Sequence, residues 1–217
     1  MMRKSVWTAA LVLIVGLASI GMSQEDVLGR VKAASAGLEA FRATIYMVNY
    51  GSRKAEIEFA FAFVPPSKMR IEYLAPKNLE GQLVILNGDQ LYIYLPALHR
   101  AVRKTVSEGS EHPGTEMGFL YYFVEKDLAA FLEGLPLTRV AGLKGFVWRH
   151  GEEVVTCRAY ELTFTGEKEK QIVWCDAETF VPVAVDIYQG GKLAIQVRVV
   201  EYEYNGVIPP EEFAIPG

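Results

Sequence analysis

Lys54-Ala55-Glu56-Ile57-Glu58-Phe59-Ala60-Phe61-Ala62-Phe63-Val64-Pro65-Pro66 is the stretch that decides the fold. Its odd positions are Ala55, Ile57, Phe59, Phe61 and Phe63, and its even positions are Lys54, Glu56, Glu58, Ala60 and Ala62. A period of two places the aromatic set on one face of a half-buried strand. Pro65-Pro66 ends it, because proline cannot donate to a strand ladder. Met69, Ile71 and Tyr73 repeat the pattern against Lys68, Arg70 and Glu72. Leu83–Leu86 and Leu91–Leu95 flank Asn87-Gly88-Asp89, a strong hairpin signal. Leu98–Thr105 reads as a continuing strand.

Upstream, Val27, Leu28, Val31, Ala34, Ser35 and Leu38 recur at the helical period over residues 25–40, opposite Arg30, Lys32 and Glu39. Downstream, 106–116 is rich in Gly, Ser, Glu, His and Pro and reads as a loop. Phe119–Leu132 breaks the strand rhythm. Phe123, Leu128, Phe131 and Leu132 predict one or two short helices, with Asp127 near the start of the second. Strands resume at about Leu135, with turns expected at Gly142–Gly145, near Gly151, around Gly166, at Asp176–Thr179 and at Gln189–Gly191. The Pro-rich Val207–Gly217 is expected to lie across the sheet as a cap. The expectation is a mainly β chain with few helices (α+β), of about ten or eleven strands. A meander of that size curls or closes, and its helices cover the concave face.

The chain opens with Met1-Met2-Arg3-Lys4 and an apolar run from Ser5 to Gly21. A cationic start, an apolar stretch and then small residues make a secretory signal, 1–23, ending after Ser23; a retained anchor is the alternative. Residues 24–217 then form one domain. Removing Arg3 and Lys4 from 22 basic residues leaves 20 against 26 acidic, a net −6. That charge argues against nucleic acid, whose phosphates favour a basic face. Eleven Phe and eleven Tyr fill a core by default, or line a cavity if one sheet face holds more aromatic surface than the core needs.

If the segments around Cys157 and Cys175 form a hairpin turning at Gly166, residues whose numbers sum to 332 face each other. The two cysteines then stand opposite at a bridgeable separation, and an oxidising compartment would join them. Two buried free thiols are the other reading. His99, His112 and His150 are widely spaced and have no metal-ligand pairing. No nucleophile elbow and no phosphate-cradling glycine loop is present. Glu56 with Glu58, and Glu201 with Glu203, each share a strand face, which suits solvation at least as well as acid/base work. No metal, no cofactor and no enzymatic activity is expected. Arg100, Arg103 and Lys104, following His99, form a basic segment that either docks an anionic headgroup or partner or is a solvated strand face.

Val64-Pro65-Pro66-Ser67-Lys68-Met69-Arg70-Ile71-Glu72-Tyr73, then Pro76, Asn87-Gly88 and Leu91–Tyr94, resembles periplasmic lipoprotein carriers of the LolA type. Ile208-Pro209-Pro210-Glu211-Glu212-Phe213-Ala214-Ile215-Pro216 is similar to that family's C-terminal signature. Tyr94–Lys104 and Gly114–Phe119 with Asp127-Leu128 resemble its outer-membrane lipoprotein-sorting branch. The resemblance covers roughly 25–217. It implies a half-open antiparallel β-barrel with a helical lid over an apolar cavity, and a soluble periplasmic monomer. It also implies a carrier that shields acyl chains of lipoproteins or lipids between an inner-membrane transporter and an outer-membrane acceptor. Pro65 stands where carriers of the proteobacterial type have an arginine that tunes lid opening. Phe59, Phe61, Phe63, Met69, Ile71 and Tyr73 are the expected cavity lining. A lipid-sensing or partner-binding module on the same fold is the second expectation.

Overall fold

The computed structural model describes residues 22–105 and 136–216. The expected loop at 106–116, the expected lid helices within 119–132 and nearly all of the expected leader lie outside the described residues.

The first element is a helix, α1 (Gln24–Ala36). Ser23 caps it: Ser23 Oγ accepts from the Asp26 amide at 3.1 Å, and the Ser23 amide donates to Asp26 Oδ2 at 3.2 Å. This reciprocal box satisfies amide donors that a helix start leaves without partners. The helix ends earlier than the periodicity over 25–40 predicts. Gly37 takes the C-cap and donates to Ala33 O. Asn205 then holds the exit, accepting from the Glu39 and Ala40 amides and donating to Gly37 O.

Eleven strands follow among the described residues: β1 (Phe41–Asn49), β2 (Ala55–Val64), β3 (Lys68–Ala75), β4 (Leu83–Asn87), β5 (Gln90–Leu95), β6 (Arg100–Thr105), β7 (Leu137–His150), β8 (Glu153–Thr165), β9 (Glu169–Asp176), β10 (Pro182–Gln189) and β11 (Lys192–Tyr204). β1 has no counterpart in the sequence reading, although Phe41, Ala43, Ile45 and Met47 alternate there. The strands form one antiparallel sheet in the order β6-β5-β4-β3-β2-β1-β11-β10-β9-β8-β7. β6 and β7 are its two ends and do not pair with each other, so the sheet is open. The predicted β4–β5 hairpin forms around Gly88, whose φ of +65° suits a residue without Cβ.

The sheet has two covered faces. On the first, Val27 and Val31 of α1 join Phe41, Ile45, Phe59, Phe61, Phe63, Ile71, Leu162, Phe164, Val173 and Val197 in one apolar core. On the second, Phe213 from a short 3-10 turn (Pro210–Phe213) packs on Ala62, Ile85 and Tyr92. Asn87 Nδ2 donates to Phe213 O at 3.3 Å, and Arg42 pairs with Glu212. The C-terminal segment therefore crosses the sheet as expected.

Two expectations are corrected. Gly142–Gly145 is not a turn: β7 runs through it, and a bulge between Ala141 and Lys144 absorbs one extra residue. The Cys157–Cys175 disulfide is not formed, and both thiols are free. The reason is register. Tyr160, not Cys157, lies opposite Cys175, and the β8–β9 partners sum to 335 rather than 332. The three-residue offset also turns the two thiols to opposite faces of β8 and β9. Cys157 stands opposite Phe146 on β7 instead.

Candidate functional site

The six residues expected to line a cavity come together as three directly opposed cross-strand pairs: Phe59 with Tyr73, Phe61 with Ile71, and Phe63 with Met69. β1 extends each row with Ile45, Ala43 and Phe41, and β4 adds Val84 and Leu86. Phe61 and Phe63 stack at 6.2 Å, Phe59 meets Tyr73 at 6.0 Å, and Phe41 bridges Phe61 and Tyr202 at 6.3 and 5.9 Å. Ile71, Phe59, Phe61, Phe63 and Met69 are only 0 to 4% exposed, so the face is closed by packing here rather than held open. Tyr73 is partly buried at its margin.

α1 lies on this face, with Val27 and Val31 buried in the core. Tyr204 Oη donates to Ala34 O at 2.7 Å, and Tyr160 Oη donates to Met22 Sδ at 3.4 Å. The Arg30 guanidinium sits 5.3 Å from the Phe180 ring, which stacks on Tyr160 at 5.6 Å. The Ser23 bonds hold the Asp26 carboxyl below its usual range, which suits an acid in the first turn of a helix.

The basic group is divided. Arg100 and Lys104 stand opposite Leu95 and Leu91, on the same face as the aromatic rows. Arg103 stands opposite Tyr92 on the other face, with its guanidinium 5.9 Å from that ring and bonded to Pro216 O. Arg103 thus secures the C-terminal segment, while Arg100 and Lys104 edge the aromatic face.

The second face carries a feature the sequence reading missed. Beyond its bulge, β7 crosses the sheet, and its alternate side chains meet successive strands. Lys144 reaches Glu161 of β8 at 3.6 Å. Phe146 stacks on Trp174 of β9 at 4.7 Å and covers Arg198 of β11 at 5.3 Å. Trp148 stacks on Tyr46 of β1 at 6.2 Å. His150 Nε2 lies 3.1 Å from Glu58 Oε2 of β2. The β7–β8 hairpin is therefore a flap whose inner side meets β9, β11, β1 and β2. Beneath it, Arg198 Nη2 meets Asp186 Oδ1 at 2.7 Å, with both side chains about one tenth exposed. Arg198 also donates to Val185 O and Val197 O, and Trp174 lies 5.4 Å from its guanidinium. The pair is thus satisfied on every side, as burial of charge requires. The signal was legible as alternation of Lys144, Phe146, Trp148 and His150, but the two glycines within it read as punctuation.

The shared-face carboxylates have separate partners. Glu56 accepts from Tyr46 Oη at 2.7 Å and pairs with Lys54, and these bonds hold it below the usual range. Burial, with the Glu56 bond second, pushes the Tyr46 hydroxyl well above its usual range. Glu201 accepts from Thr44 and Glu203 pairs with Arg42. Among the described residues no group of three His, Cys, Asp or Glu could hold a metal ion. No described helix is long and apolar enough to cross a membrane.

No family model matches the chain, and no curated protein does. Solved structures do. An uncharacterized conserved protein from Thermus thermophilus overlays with a TM-score of 0.52 at 16% identity, over 90% of this chain and 95% of that one. MucB in the Pseudomonas aeruginosa MucA/MucB complex gives 0.51 at 14% identity, over 88% of this chain and 60% of that one. A LolA superfamily protein from Nitrosomonas europaea gives 0.41 at 11% identity, over 89% of this chain and 98% of that one. At these identities the likeness to the first two is one of fold.

Proposed function

We propose that this protein is a LolA-type carrier, in which the first sheet face shelters acyl chains of lipoproteins or lipids. The observation that carries the reading is the run of three opposed pairs from Phe59 to Met69, continued on both sides by apolar residues of β1 and β4. An 11-stranded sheet spans about 50 Å at ~4.8 Å per strand. A 13-residue helix is about 20 Å long and ~10 Å wide. The helix therefore spans only part of the sheet's width. Each CH₂ of an acyl chain kept from water is worth about 0.8 kcal/mol, and aromatic and Met side chains adapt to such a ligand without directional bonds. From the packed state the ligand enters by displacing α1. Arg100 and Lys104, on the same face, are placed to meet a phosphate or another anionic headgroup.

The role is binding rather than catalysis. The N-terminal segment acts as an export signal, the mature protein works in the periplasm as a monomer, and its partners are a membrane donor and a membrane acceptor of the acylated cargo. Native mass spectrometry with lipid extraction tests this. A stoichiometric acylated adduct, displaced by a fluorescent fatty acid and lost in Phe61→Glu, is expected. Phe61→Leu keeps the core filled and serves where the charged variant unfolds; it should weaken the probe severalfold. An apo mass with no probe uptake overturns the reading.

A second reading is a partner-binding module. It is favoured by the fold shared with MucB, whose structure is that of a MucA/MucB complex. Crosslinking that captures a protein with no lipid modification, alongside a clean apo mass, would support it.

A further inference from the structure

The flap has an outer side, and its composition is unlike the rest of the chain. The β7–β8 register places Lys144, Phe146, Trp148 and His150 inward with their partners Ala159, Cys157, Val155 and Glu153. The alternate positions face away from the sheet: Gly145, Val147 and Arg149 on β7, and Val154, Thr156 and Arg158 on β8. All six, and Leu143 in the bulge before them, are exposed. Leu143, Val147 and Val154 are 39, 60 and 51% exposed, high values for large apolar side chains. Arg149 pairs across the strands with Val154, Val147 with Thr156, and Gly145 with Arg158. The surface is thus three aliphatics and two arginines. No acidic side chain stands among the seven, in a chain of net charge −4. Glu152 lies in the turn and Glu153 on the inner row.

We propose that this outer side of the β7–β8 flap is a docking surface for an anionic phospholipid membrane. Two observations favour lipid over protein. The aromatic residues of the hairpin, Phe146 and Trp148, are turned inward and committed to Trp174 and Tyr46, so the patch lacks the large anchors on which protein interfaces concentrate their affinity. What remains is a ribbon of short aliphatics flanked by arginines, which suits shallow insertion between headgroups with cations paired to phosphates. Arg198 supports the ribbon from beneath, its guanidinium 5.3 Å from the Phe146 ring and 5.4 Å from the Trp174 ring. The inference stands on the hairpin alone and does not depend on acyl-chain binding at the first face.

Sedimentation with vesicles tests it. Purified protein is mixed with equimolar phosphatidylglycerol and phosphatidylcholine, or with phosphatidylcholine alone. Binding to the anionic vesicles, falling as salt screens the arginines, is expected, with little binding to the neutral ones. Each arginine contributes about fivefold, so Arg149→Glu with Arg158→Glu should weaken binding at least about 25-fold. Val147→Asp should weaken it about tenfold, and Val147→Thr severalfold, which covers the case of a hairpin that does not tolerate the acid. Val207→Asp, at a residue 89% exposed outside the flap, should bind as wild type. Urea midpoints confirm that each variant is folded. The proposal is overturned if the wild type binds neither vesicle, if the flap variants bind undiminished, or if Val207→Asp loses binding equally. It is also overturned if the flap variants lose only an acidic protein partner. Fatty-acid probe uptake, read on the same samples, reports on the first face separately.

Discussion

Replacing Asp186 by alanine should be among the most damaging single changes on the second face. Asp186 and Arg198 are 9 and 10% exposed and 2.7 Å apart. Removing one partner of a buried pair typically costs about 3–5 kcal/mol, because the other charge is stranded. Arg198 would keep its bonds to Val185 O and Val197 O and its two aromatic neighbours, which places the cost at the lower end, about 3 kcal/mol. Gln196 Nε2 also donates to Asp186 Oδ1, at 3.2 Å, and losing that acceptor adds about 1 kcal/mol. With a urea slope of about 2.5–3 kcal/mol/M, the total moves the unfolding midpoint by about 1.3–1.6 M. Tryptophan fluorescence reads the transition, since Trp148 and Trp174 both lie at the flap, and circular dichroism at the same midpoint checks two-state behaviour. Asp186→Leu combined with Arg198→Met should be less destabilised than Asp186→Ala, because nothing charged is left buried. A loss under about 1 kcal/mol for Asp186→Ala, or a double variant no better than the sum of its singles, would refute a pair buried as one unit.

Two further outcomes are expected. Both thiols are free, and complete burial pushes the Cys175 thiol far up while Cys157 is raised less. Native protein should therefore take up a maleimide at Cys157 alone and denatured protein at both; a mass two hydrogens short with no labelling would restore the disulfide. Asp26 is held below its usual range by Ser23, so its contribution to α1 is present above the unfolded carboxyl pKa and fades as pH falls through the folded value. In the uncleaved chain, which keeps Ser23, Ser23→Ala should raise the Asp26 pKa toward the ordinary carboxyl range, read by NMR titration, whereas the chain cleaved after Ser23 should already titrate in that range; an unmoved titration in the uncleaved variant would mean that the capping box does not hold in solution.

What was legible in the chain followed local periodicity. Phe59, Phe61 and Phe63, and in the same way Met69, Ile71 and Tyr73, could be assigned to one face because burial on one side forces a period of two, whereas their direct opposition appears only in the β2–β3 register. What failed was either register or long-range. The Cys157–Cys175 pairing needed the β8–β9 register, and a three-residue error there reverses the face of every side chain. The reading of Gly142 and Gly145 as a turn missed that glycines also permit a bulge within a strand. Nothing local to His150 marks Glu58 as its partner, because that contact depends on the flap reaching across the sheet to β2. The division of Arg103 from Arg100 and Lys104 was available from alternation alone, once β6 is read as a strand.

The two ends of the open sheet share a property with a consequence for self-association. β6 reads Arg100-Ala101-Val102-Arg103-Lys104-Thr105, and β7 carries Arg139, Lys144 and Arg149 with no acid anywhere along it. Every way of joining two copies edge to edge, β6 to β6, β7 to β7 or β6 to β7, sets cation against cation. An unprotected sheet edge is otherwise a template for polymerisation. Among the described residues the cations along both edges oppose edge-to-edge pairing, as charged residues do on natural edge strands.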